Sequence, residues 1–182
     1  MSRLPPADPA TLSPTGRAVY DKIANSPRGG VAGPFLALLH VPELCDRLQH
    51  LGAYLRYDTS FDPLLSELTI LIVARRFGCQ YEWYAHEKHA RKAGLADTII
   101  EALREQRRPE NMGEREAMVY DFVSELVGNH SVSDTSYQRV LNAYGKAGAV
   151  ELAGIAGYYS MLAMTLLAHH VNPPEGTPSV FK

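Results

Sequence analysis

The stretch from Asp62 to Gly78 constrains the fold more than any other part of the chain. It opens on Asp-Pro, a capping residue followed by a residue pre-set for the first helical turn. It closes on a glycine, the residue best able to take the left-handed conformation that ends helices. Between them runs Leu64-Leu-Ser-Glu-Leu-Thr-Ile-Leu-Ile-Val-Ala, a strongly apolar segment of helical length. Nowhere does the chain show a sustained period-two run bounded by hairpin turns, so no strand is called for. The expected fold class is all-α.

The remaining segments fit helices. A short one is expected after Ser13-Pro14, through Ala18 to Ile23. Gly29 to Pro34 reads as a loop. After it, Leu36, Leu38, Leu39, Val41, Leu44, Leu48 and Leu51 are spaced for helices that Pro42 divides in two. A helix from about Gln80 to Ala93 should follow Gly78 at once and end at Gly94. Others fit Asp97–Gln106, Glu114–Val127, Asp134–Tyr144 and Ala147–His169, with Val132-Ser-Asp-Thr supplying caps. The expected organisation is an N-terminal arm with a short helix over 1–33, a helical domain over 34–172 and a C-terminal tail over 173–182.

Composition excludes several classes of function. The chain has 182 residues and a net charge of −2, which suits one domain with a proper core and gives no basic excess for nucleic acid. Its two cysteines, Cys45 and Cys79, supply neither a disulfide framework nor a zinc set. The N-terminus lacks the apolar core of a signal peptide. The longest apolar stretch, Ala147 to Ala168, is interrupted by Glu151, glycines, Ser160 and Thr165, and reads as a buried helix rather than a membrane span. The expectation is a soluble, cytoplasmic protein with no nucleic-acid or membrane partner.

Chemistry concentrates in Cys79-Gln-Tyr-Glu82-Trp-Tyr-Ala-His86. Residues four apart share a helix face, so Glu82 and His86 lie side by side, where a carboxylate and an imidazole can move a proton near neutral pH. Cys79 shares that stripe and sits at a helix start, where free amides and the dipole lower a thiol pKa; its alternative is a small buried hydrophobe. Glu67 falls among Leu64, Ile70, Leu71 and Ala74 and loses solvation. It is either a structural acid paired with Arg75, Arg56 or a tyrosine, or a member of a proton relay. Tyr81, Trp83 and Tyr84 imply a partly buried turn and candidate substrate walls. Tyr158 or Tyr159, in the later apolar helix, could close the pocket, and Tyr158 is the candidate taken here. A metal reading through Glu82, His86 and His89 lacks the paired Glu-x-x-His or His-Glu-x-x-His arrangement. No metal and no cofactor are expected. The candidate catalytic set is Glu67, Cys79, Glu82 and His86.

These motifs, Glu67-x11-Cys79-x2-Glu82-x3-His86 with Tyr57-Asp, Glu67-Leu-Thr-Ile-Leu-Ile-Val-Ala-Arg-Arg and Gly157-Tyr-Tyr-Ser-Met, resemble the carboxymuconolactone decarboxylase superfamily. That superfamily includes the alkylhydroperoxidase D-like proteins, and the resemblance runs from about residue 34 to 170. It implies a helical alkylhydroperoxidase D-like bundle and an oligomer, a homotrimer or hexamer. The peroxidase branch carries a Cys-x-x-Cys pair whose second position here is Glu82, so its disulfide cycle cannot form within this site. The decarboxylase branch is similar in carrying Glu-x3-His. The resemblance thus implies a cofactor-free, decarboxylase-like lyase or isomerase acting on a small acidic or lactone-like compound. In that role His86 moves the proton, Glu82 orients it, Glu67 holds Cys79 or a water, and Arg75 or Arg91 supplies a charge for a substrate carboxylate. Two alternatives stand beside it: a single-cysteine thiol redox protein using Cys79, and a non-catalytic helical oligomer that binds a small metabolite.

Overall fold

The computed structural model describes residues 2–181, which form α-helices and no strand. The helices are α1 (Pro14–Ala24), α2 (Pro34–Leu38), α3 (Pro42–Tyr57), α4 (Pro63–Phe77), α5 (Gln80–Lys92), α6 (Asp97–Arg104), α7 (Glu114–Asn129) and α8 (Asp134–Ala168). The all-α expectation holds.

The apolar segment is the hub. Every residue of α4 from Leu65 to Ala74 is buried, and α5, α7 and α8 pack around it. Burying each of its large aliphatic side chains contributes about 1.5–3 kcal/mol. The ends behave as the sequence requires: Asp62 Oδ1 accepts from the Leu65 amide at 3.1 Å, and Gly78 takes a left-handed conformation at φ 65°. That turn reverses the chain within two residues. Cys79 becomes the N-cap of α5, which runs back along α4 and brings His86 against Glu67, with Glu82 one turn nearer the junction.

α8 covers α4 from another side. At Gly145 the backbone leaves helical geometry (φ 67°, ψ −170°). The two helices expected there therefore meet end to end at a kink, without an intervening loop. Among the described residues α8 is the one helix long and apolar enough to cross a membrane by length and composition, but it packs against α3, α4 and α7.

The described residues near both termini lie on this bundle. The Arg3 amide donates to the His169 carbonyl at 2.9 Å and the Ala7 amide to the Leu36 carbonyl at 3.0 Å. At the other end, the Gln80 side chain binds the Ser179 hydroxyl at 3.0 Å and the Val180 amide at 2.9 Å.

Candidate active site

His86 and Glu67 form the centre of the site. The His86 Nδ1–H donates to Glu67 Oε2 at 2.7 Å, a contact between two buried side chains 19 residues apart. The other carboxylate oxygen, Oε1, lies 3.5 Å from the Arg56 guanidinium at the end of α3. A carboxylate on Nδ1 fixes the ring's orientation and tautomer and leaves Nε2 for a substrate. The sequence placed Glu82 as the orienting partner; the structure gives that position to Glu67. Its arginine is Arg56, one of the two that the sequence offered.

His86 opens on a cavity of about 240 Å³. Glu82 lines it from one turn earlier on α5, and Tyr159 lines it from α8, edge-on to the imidazole with ring centres 5.2 Å apart. Glu82 is 3% exposed, and burial pushes its pKa well above the usual carboxylate value. Among the described residues its Oε2 has no hydrogen-bond partner. An acid so placed favours the neutral form, which can donate a hydrogen bond. Arg28, Arg56 and Lys88 supply positive charge around the same space. The Arg28 guanidinium lies over the Phe35 ring at 5.0 Å and donates to the Gln49 carbonyl at 3.2 Å.

Tyr81 and Tyr84 line the cavity as the sequence suggested. Gly33 lets the first of them in: its φ is 59°, and a Cβ there would stand 2.6 Å from the Tyr81 ring. His89 borders the cavity too, with burial lowering its pKa.

Other candidates lie elsewhere. Trp83 is fully buried, donates its indole N–H to Glu87 Oε2 at 3.0 Å and meets Phe181 edge-on. Tyr158 is not part of the cavity lining: its hydroxyl packs against Gly52 beside Arg28, and burial pushes its pKa up to about 12. Cys79 packs with Ala163 and Leu166 in a small apolar cluster and is not part of the cavity lining. Burial drives its thiol up to about 12, outweighing the amides of Glu82 and Tyr81 at the helix start. The helix-start effect expected from the sequence is present, and desolvation exceeds it.

Arg75 and Arg91 are also elsewhere. Arg75 donates to the Arg104 carbonyl at 2.7 Å, and Arg91 pairs with Glu87 and Asp97. The cations at the cavity are Arg28, Arg56 and Lys88. Of these Arg28 had no signal in the sequence, since it sits alone in a Pro- and Gly-rich loop. Among the described residues no group of three or more His, Cys, Asp or Glu side chains is arranged to hold a metal ion.

The resemblance read in the sequence is borne out. Residues 42–124 match the model of the Carboxymuconolactone decarboxylase family. No curated protein matches the chain. Among solved structures, the chain is similar to an alkylhydroperoxidase AhpD core, an uncharacterized peroxidase-related protein from Ralstonia eutropha JMP134. That likeness has TM-score 0.78 and 18% identity over 96% of this chain and 93% of that one. It is similar also to an uncharacterized peroxidase-related protein from Silicibacter sp. TM1040, with TM-score 0.76 and 16% identity over 96% and 92% of the two chains. The debrominase Bmp8 matches with TM-score 0.74 and 15% identity over 93% and 91%, and a cysteine-to-alanine variant of it is in complex with 2,3,4-tribromopyrrole. At these identities the likeness establishes the shared helical fold.

Proposed function

We propose, on the premise that residues 42–124 carry the carboxymuconolactone decarboxylase family segment, that this protein is a cofactor-free lyase or isomerase. Its substrate in this reading is a small acidic or lactone-like compound, and its chemistry is proton transfer. The observation that carries the reading is His86: its Nδ1 is held by Glu67 at 2.7 Å, while the ring opens on a cavity shared with the buried acid Glu82.

In a decarboxylation, the bond to the carboxyl carbon breaks and its electron pair moves into a conjugated carbonyl as carbon dioxide leaves. Neutral Glu82 donates a hydrogen bond to the enolate oxygen so formed. His86 then delivers a proton from Nε2 to carbon, with Glu67 holding Nδ1 and balancing the imidazolium. A further carboxylate on the substrate meets Arg28 and Arg56, with exposed Lys88 at the rim. Tyr81, Tyr84 and Tyr159 shape the walls. In this account Cys79 supports the floor of α5 and takes no chemical step, because a thiol at about 12 is not ionised near neutral pH. The reading keeps the expectations of a cytoplasmic protein and a homotrimer or hexamer.

An ultraviolet assay on carboxymuconolactone tests it with wild type, His86→Ala and Cys79→Ser. Turnover by wild type that falls about 10²- to 10⁴-fold in His86→Ala and largely survives in Cys79→Ser supports the lyase. Loss in Cys79→Ser with retention in His86→Ala transfers the chemistry to the thiol. Binding that His86→Ala weakens, without turnover on this or related lactones and acids, supports the metabolite-binding alternative.

A further inference from the structure

His89 is a titratable side chain at the site to which the proton-transfer reading gives no task. It lies about one turn beyond His86 on α5, half-buried, with the two ring centres 6.0 Å apart. It lines the front cavity together with His86 and Glu82. It also lines a second cavity of about 320 Å³ that Glu67 borders and His86 and Glu82 do not. The exposed residues Tyr57, Pro63 and Lys92 belong to that second space. The His89 ring therefore joins a solvent-facing space to the one in which His86 works.

The catalytic cycle needs a group in that position. Decarboxylation replaces a carbon–carboxylate bond with a carbon–hydrogen bond, so each turnover takes up one proton. That proton leaves His86 from Nε2, because Nδ1–H stays on Glu67 at 2.7 Å. Nε2 must then be reprotonated from the front cavity, where His86 is only 8% exposed. Hydronium is scarce near neutral pH, whereas an imidazole gains and loses protons there readily. The surroundings of His89 suit that exchange. Burial lowers its pKa, with Arg56, His86 and Lys88 acting in the same direction and Glu67 against them. Lys92 flanks it in the second cavity and Glu82 in the first. A protonated His89 is thus a stronger acid than a free imidazolium, which favours release toward a neutral His86.

We infer that His89 is the proton shuttle of the site, returning a proton from solvent to Nε2 of His86 through one water after each turnover. The inference rests on the proton-transfer reading above and adds the residue that resets it. A water bonded to both rings spans nitrogens up to about 5.5 Å apart, which suits ring centres at 6.0 Å. Protonated His89 gives its N–H proton to this water as the water gives one of its own to Nε2. His86 is then an imidazolium again, balanced by Glu67, and His89 is neutral. His89 regains its proton from hydronium or a buffer acid. The net uptake is one proton, equal to the one now bound to carbon. Proton abstraction from a substrate runs the sequence in reverse.

Exchange of the His86 Nε2–H with water, read by nuclear magnetic resonance in the intact protein in dilute buffer, tests this without substrate. His89→Ala should slow exchange about tenfold, and added imidazole, carrying protons in place of the lost ring, should restore it. His89→Gln, which keeps the bulk of the side chain, should be slowed alike. In turnover on carboxymuconolactone both variants should lose kcat in dilute buffer, with KM nearly unchanged and kcat recovered by imidazole. Exchange unaltered in both variants, slowing that imidazole fails to restore, or a kcat indifferent to both overturns the shuttle. In that last case, turnover that still needs His86 keeps the lyase reading. Imidazole-restored exchange in a protein that turns over no lactone or acid would retain the shuttle and remove the lyase reading.

Discussion

The carboxylate of Glu67 decides which nitrogen of His86 is left for chemistry, so its charge and not its shape should matter most. Glu67→Gln keeps an acceptor for Nδ1–H but cannot balance an imidazolium. We expect kcat to fall about 10²-fold with KM nearly unchanged, measured by steady-state kinetics. Glu82 makes a separate prediction through pH. Burial raises its pKa in the folded state above the ordinary value of 4.5, so the folded protein binds the proton more tightly than the unfolded chain does. Its contribution to stability is fully present below the unfolded pKa and is lost as pH rises through the folded one. The thermal midpoint should therefore decline as pH rises above about 4.5. In Glu82→Gln, which cannot ionise, that decline should flatten and the midpoint at neutral pH should rise. A scanning-calorimetry series across pH compares the two proteins.

At the scale of elements, the turn between α4 and α5 places the acid against the imidazole. Gly78 sits at φ 65° with open space where a Cβ would go, so Gly78→Ala meets no clash and bears the backbone cost alone. We expect a loss of about 1 kcal/mol in denaturant unfolding. Cys79, at the same junction, should resist alkylation at pH 8 in the native protein and react once it is unfolded, because burial holds its thiol near 12. These elements were legible in the sequence because their signals are local: Asp62-Pro63, Gly78 and Gly94 mark starts and ends. The partners of the site were less legible, because they come from distant elements. The choice of Glu67 over Glu82 for His86 depends on how α5 lies against α4. The choice of Tyr159 over Tyr158 depends on the rotation of α8, which adjacent aromatics in an apolar run do not reveal. Arg28 reaches the cavity from a loop whose path only the packed bundle defines.

At the scale of the whole molecule, α3 carries an apolar edge that this chain leaves uncovered. Val41, Leu44 and Leu51 are 55%, 45% and 47% exposed along it, at spacings that keep them near one helix face. A second copy is the occupant proposed for that face, consistent with the homotrimer or hexamer of the functional reading. Sedimentation should show an oligomer, and Leu44→Glu with Leu51→Glu should shift it to monomer while the helical circular dichroism stays intact. A monomeric wild type would remove the assembly.

The most direct test of the central claim, that His86 moves a proton to or from carbon, is deuterium incorporation in heavy water. Carboxymuconolactone and related lactone acids are incubated with wild type and His86→Ala, and label at carbon is followed by mass spectrometry. The account predicts one solvent deuterium per wild-type turnover and loss of that incorporation in His86→Ala. Incorporation at the wild-type rate in the variant would contradict it.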